Sequence, residues 1–223
     1  GYIIGGIRSA LVVGSFTLFI ALTEWWDRAL ITMYMATFGV IVSGILGITI
    51  GTLSAQTKTS IRITLAVCDT LQTFPSFIYL LPAVMLFQIS DVSAIFAIVV
   101  YASIPITRYT IFGLRNVPAQ IIEAAKMSGC SEGQILLKVR MPLAFPEILL
   151  GINQTLMFAL FMVMIAGFIG TVDLSQEIFR ALSFNDGGKG LVIGLCVSLI
   201  GLTADRLLVE WSNIKKREFG LIK

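Results

Sequence analysis

The sequence predicts an all-α, polytopic membrane protein of about six transmembrane helices, and three features carry that prediction. Only 13% of the 223 residues are charged, against about a quarter in a soluble domain of ordinary composition, while 57% are hydrophobic and the mean hydropathy is +0.91. Two stretches, between Arg28 and Lys58 and between Glu147 and Asp173, carry no charge at all. Lys and Arg also gather in alternate connections instead of being spread evenly along the chain.

A spanning helix needs about 20 predominantly apolar residues. With charges used as fences, the candidate spans run over 3–23, 29–54, 63–88, 92–112, 143–171 and 189–211. The first, Tyr2 to Leu22, has a signal peptide as its alternative reading. No small-residue cleavage site followed by a polar region appears, so it reads as a membrane helix. The sequence opens on Gly1 and not on Met, which leaves room for residues upstream. Pro75 and Pro82 interrupt the third span and Pro105 the fourth, which is tolerated where neighbouring helices satisfy the freed carbonyls. Gly47 with Gly51, and Gly190 with Gly194, are small-xxx-small pairs suited to close helix contact. Packing within the chain is the expected use, with a dimer seam as the alternative.

The connections sort into two sets. Ser54–Arg62, Gly113–Met141 and the tail after Trp211 hold Lys58, Arg62, Arg115, Lys126, Lys138, Arg140, Lys215, Lys216, Arg217 and Lys223. Thr23–Arg28, Gln88–Asp91 and Val172–Lys189 hold only Arg28, Arg180 and Lys189, beside six acids. The first set is therefore expected on the cytoplasmic side, with Trp25, Trp26 and Trp211 as interfacial anchors at helix ends.

Composition also argues against other classes. The three cysteines, Cys68, Cys130 and Cys196, are far apart and odd in number, and there is no histidine. Neither a disulfide framework nor a Cys/His metal site is expected, and the commonest general base is missing. No catalytic, cofactor-binding or metal-binding residue is assigned. A net charge of +3 is too small to point to nucleic acid.

The informative connection is the amphipathic stretch 114–142. Asn116 is placed to cap a helix and Pro118 suits its first turn. Residues 118–128 read as helix, Gly129 as its left-handed stop, and Ser131 with Gln134 as the capping box of a second short helix. Pro142 marks the entry to the fifth span. Small residues at the bend, Ala124, Ala125 and Gly129, allow another backbone to come close. Two readings fit: a loop folded back on its own membrane domain, or a docking site for a cytoplasmic partner.

Here the sequence resembles a family. Glu123-Ala124-Ala125, three residues, Gly129, nine residues, then Val139-Arg140-Met141-Pro142 is similar to the EAA loop of ABC importer permeases, EAA-x3-G-x9-I-x-L-P. Val139 and Met141 replace Ile and Leu but keep their apolar character. Asp69-Thr70-Leu71-Gln72-Thr73-Phe74-Pro75, Tyr79-Leu80 and Gly151-Ile152-Asn153-Gln154-Thr155-Leu156-Met157 resemble the glycine betaine/proline betaine permeases of that superfamily. The likeness covers roughly residues 27 to 212. It implies a single type I ABC importer transmembrane domain over 1–223, in the inner membrane of a bacterium or archaeon. It further implies a second permease copy, two cytoplasmic ATPases docked on the EAA loops, and an extracytoplasmic binding protein. Glu123, Ala124, Ala125 and Gly129, with Val139, Met141 and Pro142 closing the motif, would couple ATP to transport. The chain has no G-x-x-x-x-G-K-[ST] phosphate loop, so ATP and Mg are expected on the ATPase. The implied cargo is a betaine-like osmoprotectant, with choline, carnitine and trimethylamine N-oxide open.

Polar residues inside apolar spans are candidates for a substrate path. Gln72, Asn153 and Gln154 stand out, with a hydrogen bond between helices as the alternative use. Pro75 sits at the break in the third span. Met157, Phe158 and Phe161 enrich the fifth, and aromatic faces attract quaternary ammonium ions, though such residues more often pack. Asp69 is expected to pair with Arg62 or another cation. The rival reading is a secondary transporter or channel with no ATPase, which would place ionisable groups at mid-membrane. The second, third and fifth spans are read as holding none away from their ends. A purely structural membrane subunit is the remaining class, and the EAA spacing disfavours it.

Overall fold

A chain with long uncharged stretches must satisfy its backbone internally, and here it does so as helices. The computed structural model describes the backbone of residues 2–218 and the side chains of residue 7 and residues 10–217. Gly1 and residues 219–223, including Lys223 of the basic tail, lie outside the described residues. Helix α1 runs Tyr2–Leu22 and α2 Trp26–Ser54; α3 (Lys58–Thr73) leads through a 3-10 turn, Ser76–Tyr79, into α4 (Leu80–Phe87), and α5 follows over Asp91–Arg115. Two short helices come next, α6 (Ala119–Met127) and α7 (Glu132–Ile135), then a π-turn over Leu136–Arg140 and α8 (Met141–Ala166). A 3-10 turn, α9 (Leu174–Ser183) and α10 (Gly187–Glu218) complete the described chain.

Four described helices are long and apolar enough to cross a membrane, or five if one bent pair counts as a span. The expected first span, 3–23, falls partly outside the described side chains and is not among these. The expected third span, 63–88, is broken: α3 and the Ser76–Phe87 segment are bent by 107°. Phe74, ahead of Pro75, is held extended at φ −69° and ψ 135°, and Pro75 has no N–H to continue the ladder. The Tyr79 hydroxyl donates to the Leu71 carbonyl and ties the break together. Pro82 falls in the first turn of α4, where no helix bond is lost. Pro105 lies inside α5, which runs on to Arg115.

The expected fifth span, 143–171, starts earlier. Pro142 cannot donate back to Lys138, and the backbone widens into the π-turn just before it. Helix therefore continues from Glu132 to Ile169. The connection 172–189 is not open chain, for it contains α9. Asp173 caps that helix by accepting from the Gln176 N–H at 3.2 Å. Leu174 and Ala181 are buried, and the Ser175 hydroxyl donates to the Val163 carbonyl at 3.1 Å.

The core lies where α5 is gripped by α2 and α8. Gly39, Ser43, Gly47 and Gly51 form a buried stripe four residues apart on α2. Ser43 donates across to the Val99 carbonyl at 3.1 Å, and Gly47 and Gly51 abut Ile106 and Thr110 of α5. That pair packs within the chain. The second pair divides: Gly190 approaches Ala181, while Gly194 has nothing within 4 Å of its Cβ direction.

Candidate functional site

The connection between α5 and α8 is fixed at its base and bare at its tip. Asn116 does not cap α6, as expected from sequence; it closes α5 instead, its N–H donating to Phe112 at 3.0 Å. The N-cap of α6 is Pro118, whose carbonyl accepts from Ile121 and Ile122. Arg140 Nη2 donates to the Leu114 carbonyl at 2.9 Å and bolts the loop's return to the end of α5, while Ile135 is buried beneath it. Gly129 ends α6 at φ +80°, where a Cβ is unfavourable. Its N–H and that of Cys130 donate to the Lys126 and Ala125 carbonyls, satisfying helix-end acceptors. Ser131 and Gln134 close a reciprocal capping box, and Lys126 meets Glu132 at 2.8 Å across the bend.

No residue of α6 is buried. Glu123, Ala124 and Gly129 are exposed and Ala125 is half-buried, while Met127 is 92% exposed. Ile121 and Leu137 also show their side chains. Val139, Met141 and Pro142 are half-buried at the base. A loop folded back on its own domain would cover these apolar groups.

The sequence-predicted path residues separate. Gln72, Gln154 and Phe158 line one cavity of about 370 Å³ with Pro105, Arg108, Tyr109 and Phe112. Asn153 faces the other way, into a recess of about 100 Å³ against Leu208 and Trp211, and its Oδ1 has no hydrogen-bond partner among the described residues. Pro75, Met157 and Phe161 are exposed and do not line the larger cavity. Rings continue from it in a column: Phe158 stacks on Tyr101 at 5.1 Å, and Tyr101 meets Tyr79 at 5.4 Å.

Arg108 is the residue the sequence reading passed over. Its Nη1 lies 2.9 Å from Asp69 Oδ1 and donates to Gln72 Oε1 at 2.5 Å. Asp69 therefore pairs with α5 and not with Arg62. Asp69 stands eleven residues after Lys58 and Arg108 seven before Arg115, or about 16 and 10 Å along their helices. Asp69 is four residues from the end of α3 at Thr73, where the third span breaks. The signal was present: a lone Arg and a lone Asp in otherwise apolar windows.

At the opposite end, buried Glu177 of α9 is held by Lys189 at 2.8 Å, Arg180 at 2.7 Å and Arg28 at 3.7 Å. Lys189 also lies 4.9 Å above the Trp25 ring. Burial pushes the Glu177 carboxyl up, but these three cations outweigh it and hold it below its ordinary 4.5. Asp173 goes the other way: burial raises it, against hydrogen bonds from Ser175, Gln176 and Thr171. A lowered acid stabilises the fold above its ordinary pKa, and that contribution is lost as pH falls through the folded value. A raised acid stabilises at low pH and loses its contribution as pH rises through the folded value. Glu177→Gln is accordingly expected to cost about 2 kcal/mol at pH 7, below the range for a fully buried pair because its cations are partly exposed. Near pH 4 the deficit should shrink. Thermal unfolding in detergent at both pH values checks this, and an equal deficit at both would contradict it.

Helices packed through small residues, one span broken beside a polar cavity, and a two-helix loop left bare at the basic end together define a polytopic α-helical membrane protein. The family model described as binding-protein-dependent transport system inner membrane component matches residues 43–209, and the chain belongs to that family. It is 58% identical over 222 residues to the trimethylamine N-oxide transport system permease protein TmoV of Pelagibacter ubique, covering 99% of this chain and 31% of that one. It is 38% identical over 196 residues to the glycine betaine transport system permease protein OpuAB of Bacillus subtilis, covering 88% of this chain and 69% of the other. The chain thus spans about a third of the length of TmoV. Its fold matches a chain of the MetNI methionine ABC transporter in an inward-facing conformation, with a TM-score of 0.74 at 19% identity over 89% of this chain and 97% of that one.

Proposed function

We propose that this chain is the permease subunit of an ATP-driven importer for small trimethylated amine solutes, trimethylamine N-oxide and glycine betaine foremost. Two copies enclose the path in a bacterial or archaeal plasma membrane. Two cytoplasmic ATPases, which carry the ATP and Mg, dock on the bare α6 loops, and an extracytoplasmic protein delivers the solute. The observation that carries this reading is α6 itself, a helix with no buried residue standing on a bolted base. Closure of the ATPases would push the two loops and tip the packed helices between inward- and outward-open arrangements, a bistable interface biased by ligand. Glu123, Ala124, Ala125 and Gly129 are the contact residues in this scheme, and Arg140 transmits the push to α5 and α8.

The two cargoes come from the relatives' names, trimethylamine N-oxide for TmoV and glycine betaine for OpuAB. Both solutes join a trimethylated nitrogen to an anionic oxygen. Uptake of labelled trimethylamine N-oxide and glycine betaine is to be measured in proteoliposomes containing the chain and its co-purified ATPase, with binding protein supplied. Uptake that requires ATP is expected, each solute competing with the other. Uptake indifferent to ATP would replace this reading with that of a secondary transporter.

A further inference from the structure

We propose that the Asp69–Arg108 ion pair is a binding station within the permease for a solute that carries both charges. This rests on the reading that the chain carries a betaine-like solute. Trimethylated nitrogen would sit against Asp69 and the rings of Tyr109 and Phe158, and the anionic oxygen against Arg108 and the amide groups of Gln72 and Gln154.

Placement is the first argument. An ion pair joining Arg108, about 10 Å in from the end of α5, to Asp69, one turn before the break after α3, marks an ion or substrate pathway in a membrane protein. The pair also divides two cavities. Arg108 lines the one of about 370 Å³, while Asp69 lines another of about 570 Å³ together with Lys58, Arg62 and Arg115, toward the basic end of the chain. A solute passing between the cavities meets both charges.

Unused bonding capacity is the second argument. Among the described residues Arg108 spends only Nη1, on Asp69 and Gln72, and a guanidinium has five N–H donors. The Asp69 side chain is 60% exposed, open to a cation without losing Arg108. The aromatic column behind Phe158 supplies faces that attract a quaternary ammonium.

The third argument concerns the sign of selectivity. A dipolar solute inserted beside the pair leaves every charge matched. A cation without an anionic end adds an unmatched positive charge beside Arg108, and an anion adds an unmatched negative charge beside Asp69. The station therefore selects against choline within the membrane, independently of the binding protein.

The test uses the permease with its co-purified ATPase in lipid nanodiscs, without binding protein, read by saturation-transfer NMR on the methyl signals. The probes are trimethylamine N-oxide, glycine betaine, choline and 3,3-dimethylbutyrate, the last having the shape of glycine betaine without its positive charge. Both dipolar solutes should bind, and choline and dimethylbutyrate at least tenfold more weakly. Arg108→Gln and Asp69→Asn should each weaken glycine betaine at least tenfold, with Arg108→Lys intermediate. If Arg108→Gln fails to assemble with the ATPase, the double variant Asp69→Asn/Arg108→Gln, which leaves no unpaired charge, decides. Choline binding equal to betaine, or binding untouched by these variants, overturns the station. Failure of the wild type to bind any probe while ATP drives uptake overturns the station and leaves the proposed function standing. ATP-driven uptake absent for every trimethylated amine removes the function itself.

Discussion

Replacing Gly129 by valine in the assembled transporter is expected to cut ATP-driven uptake at least tenfold while leaving the membrane helices folded. Gly129 sits at φ +80°, and a β-branched residue there is a conformational outlier. The left-handed region costs an L-residue roughly 1–2 kcal/mol. The chain would relieve that strain by unwinding the end of α6, which buries no residue and is tied to α7 by the exposed Lys126–Glu132 pair. Nothing lies within 4 Å of the direction a Cβ would take, so no steric clash inside this chain contributes. Gly129→Asn separates the two uses of the glycine, because asparagine tolerates the left-handed turn but still adds a side chain. Uptake in the Asn variant should fall between wild type and Val if the open space above Gly129 is where the ATPase comes close. The checks are co-purification of the ATPase and uptake in proteoliposomes. Wild-type values for Gly129→Val in both would remove the loop from the coupling step.

The loop was legible in the sequence because its signals are local. A left-handed glycine, a capping box and an amphipathic stretch each act within a few residues, and Gly129, Ser131 and Gln134 do in the structure what their spacing predicts. Asn116 misled because α5 runs three residues beyond the expected span and takes it as a closing residue. The spans were legible in number only to within the bends. Pro75 announced an interruption, but its angle depends on how Tyr79 and Leu80 bury themselves against α5, which no local pattern encodes. The path residues were the least legible. Asn153 and Gln154 are adjacent in sequence, yet a helix sends neighbours to different faces, and which face meets the cavity is decided by the partners of α8. Arg108 lay inside the expected fourth span, 92–112, but a lone charge there does not reveal its partner. Its meaning depends on Asp69, in a different helix and far away in sequence.

Ile106 is the residue on which three helices close, and crowding it should produce the largest loss of stability in the chain. It is fully buried in α5, lying against Gly47 of α2 on one side and Gly151 of α8 on the other. A Cβ on Gly151 would come within 2.7 Å of Tyr109 Cβ and 2.8 Å of Ile106 Cδ1. One on Gly47 would meet Ile106 Cγ2, with the Ser103 carbonyl at 3.0 Å and the Thr107 nitrogen at 3.1 Å. Backbone atoms do not rotate away, so Gly47→Leu has to force α2 off α5. A loss of about 3 kcal/mol or more is expected, at or above the upper end for overpacking. Ile106→Ala alone opens a void and should cost about 2–5 kcal/mol. The two changes share one space, so Gly47→Ala combined with Ile106→Ala should destabilise by less than the sum of the single effects, a coupling of about 1 kcal/mol or more. Urea or thermal unfolding of the four proteins in detergent measures it, and strict additivity would show that α2 and α5 do not meet through this contact. The same contact bears on transport. Arg108 and Tyr109 follow Ile106 by two and three residues, and Gly151 precedes Gln154 by three. Any variant that wedges α8 from α5 at Gly151 must therefore widen the cavity that Arg108, Tyr109 and Gln154 line. Gly151→Ala, the smallest such wedge, should depress uptake more than it depresses stability.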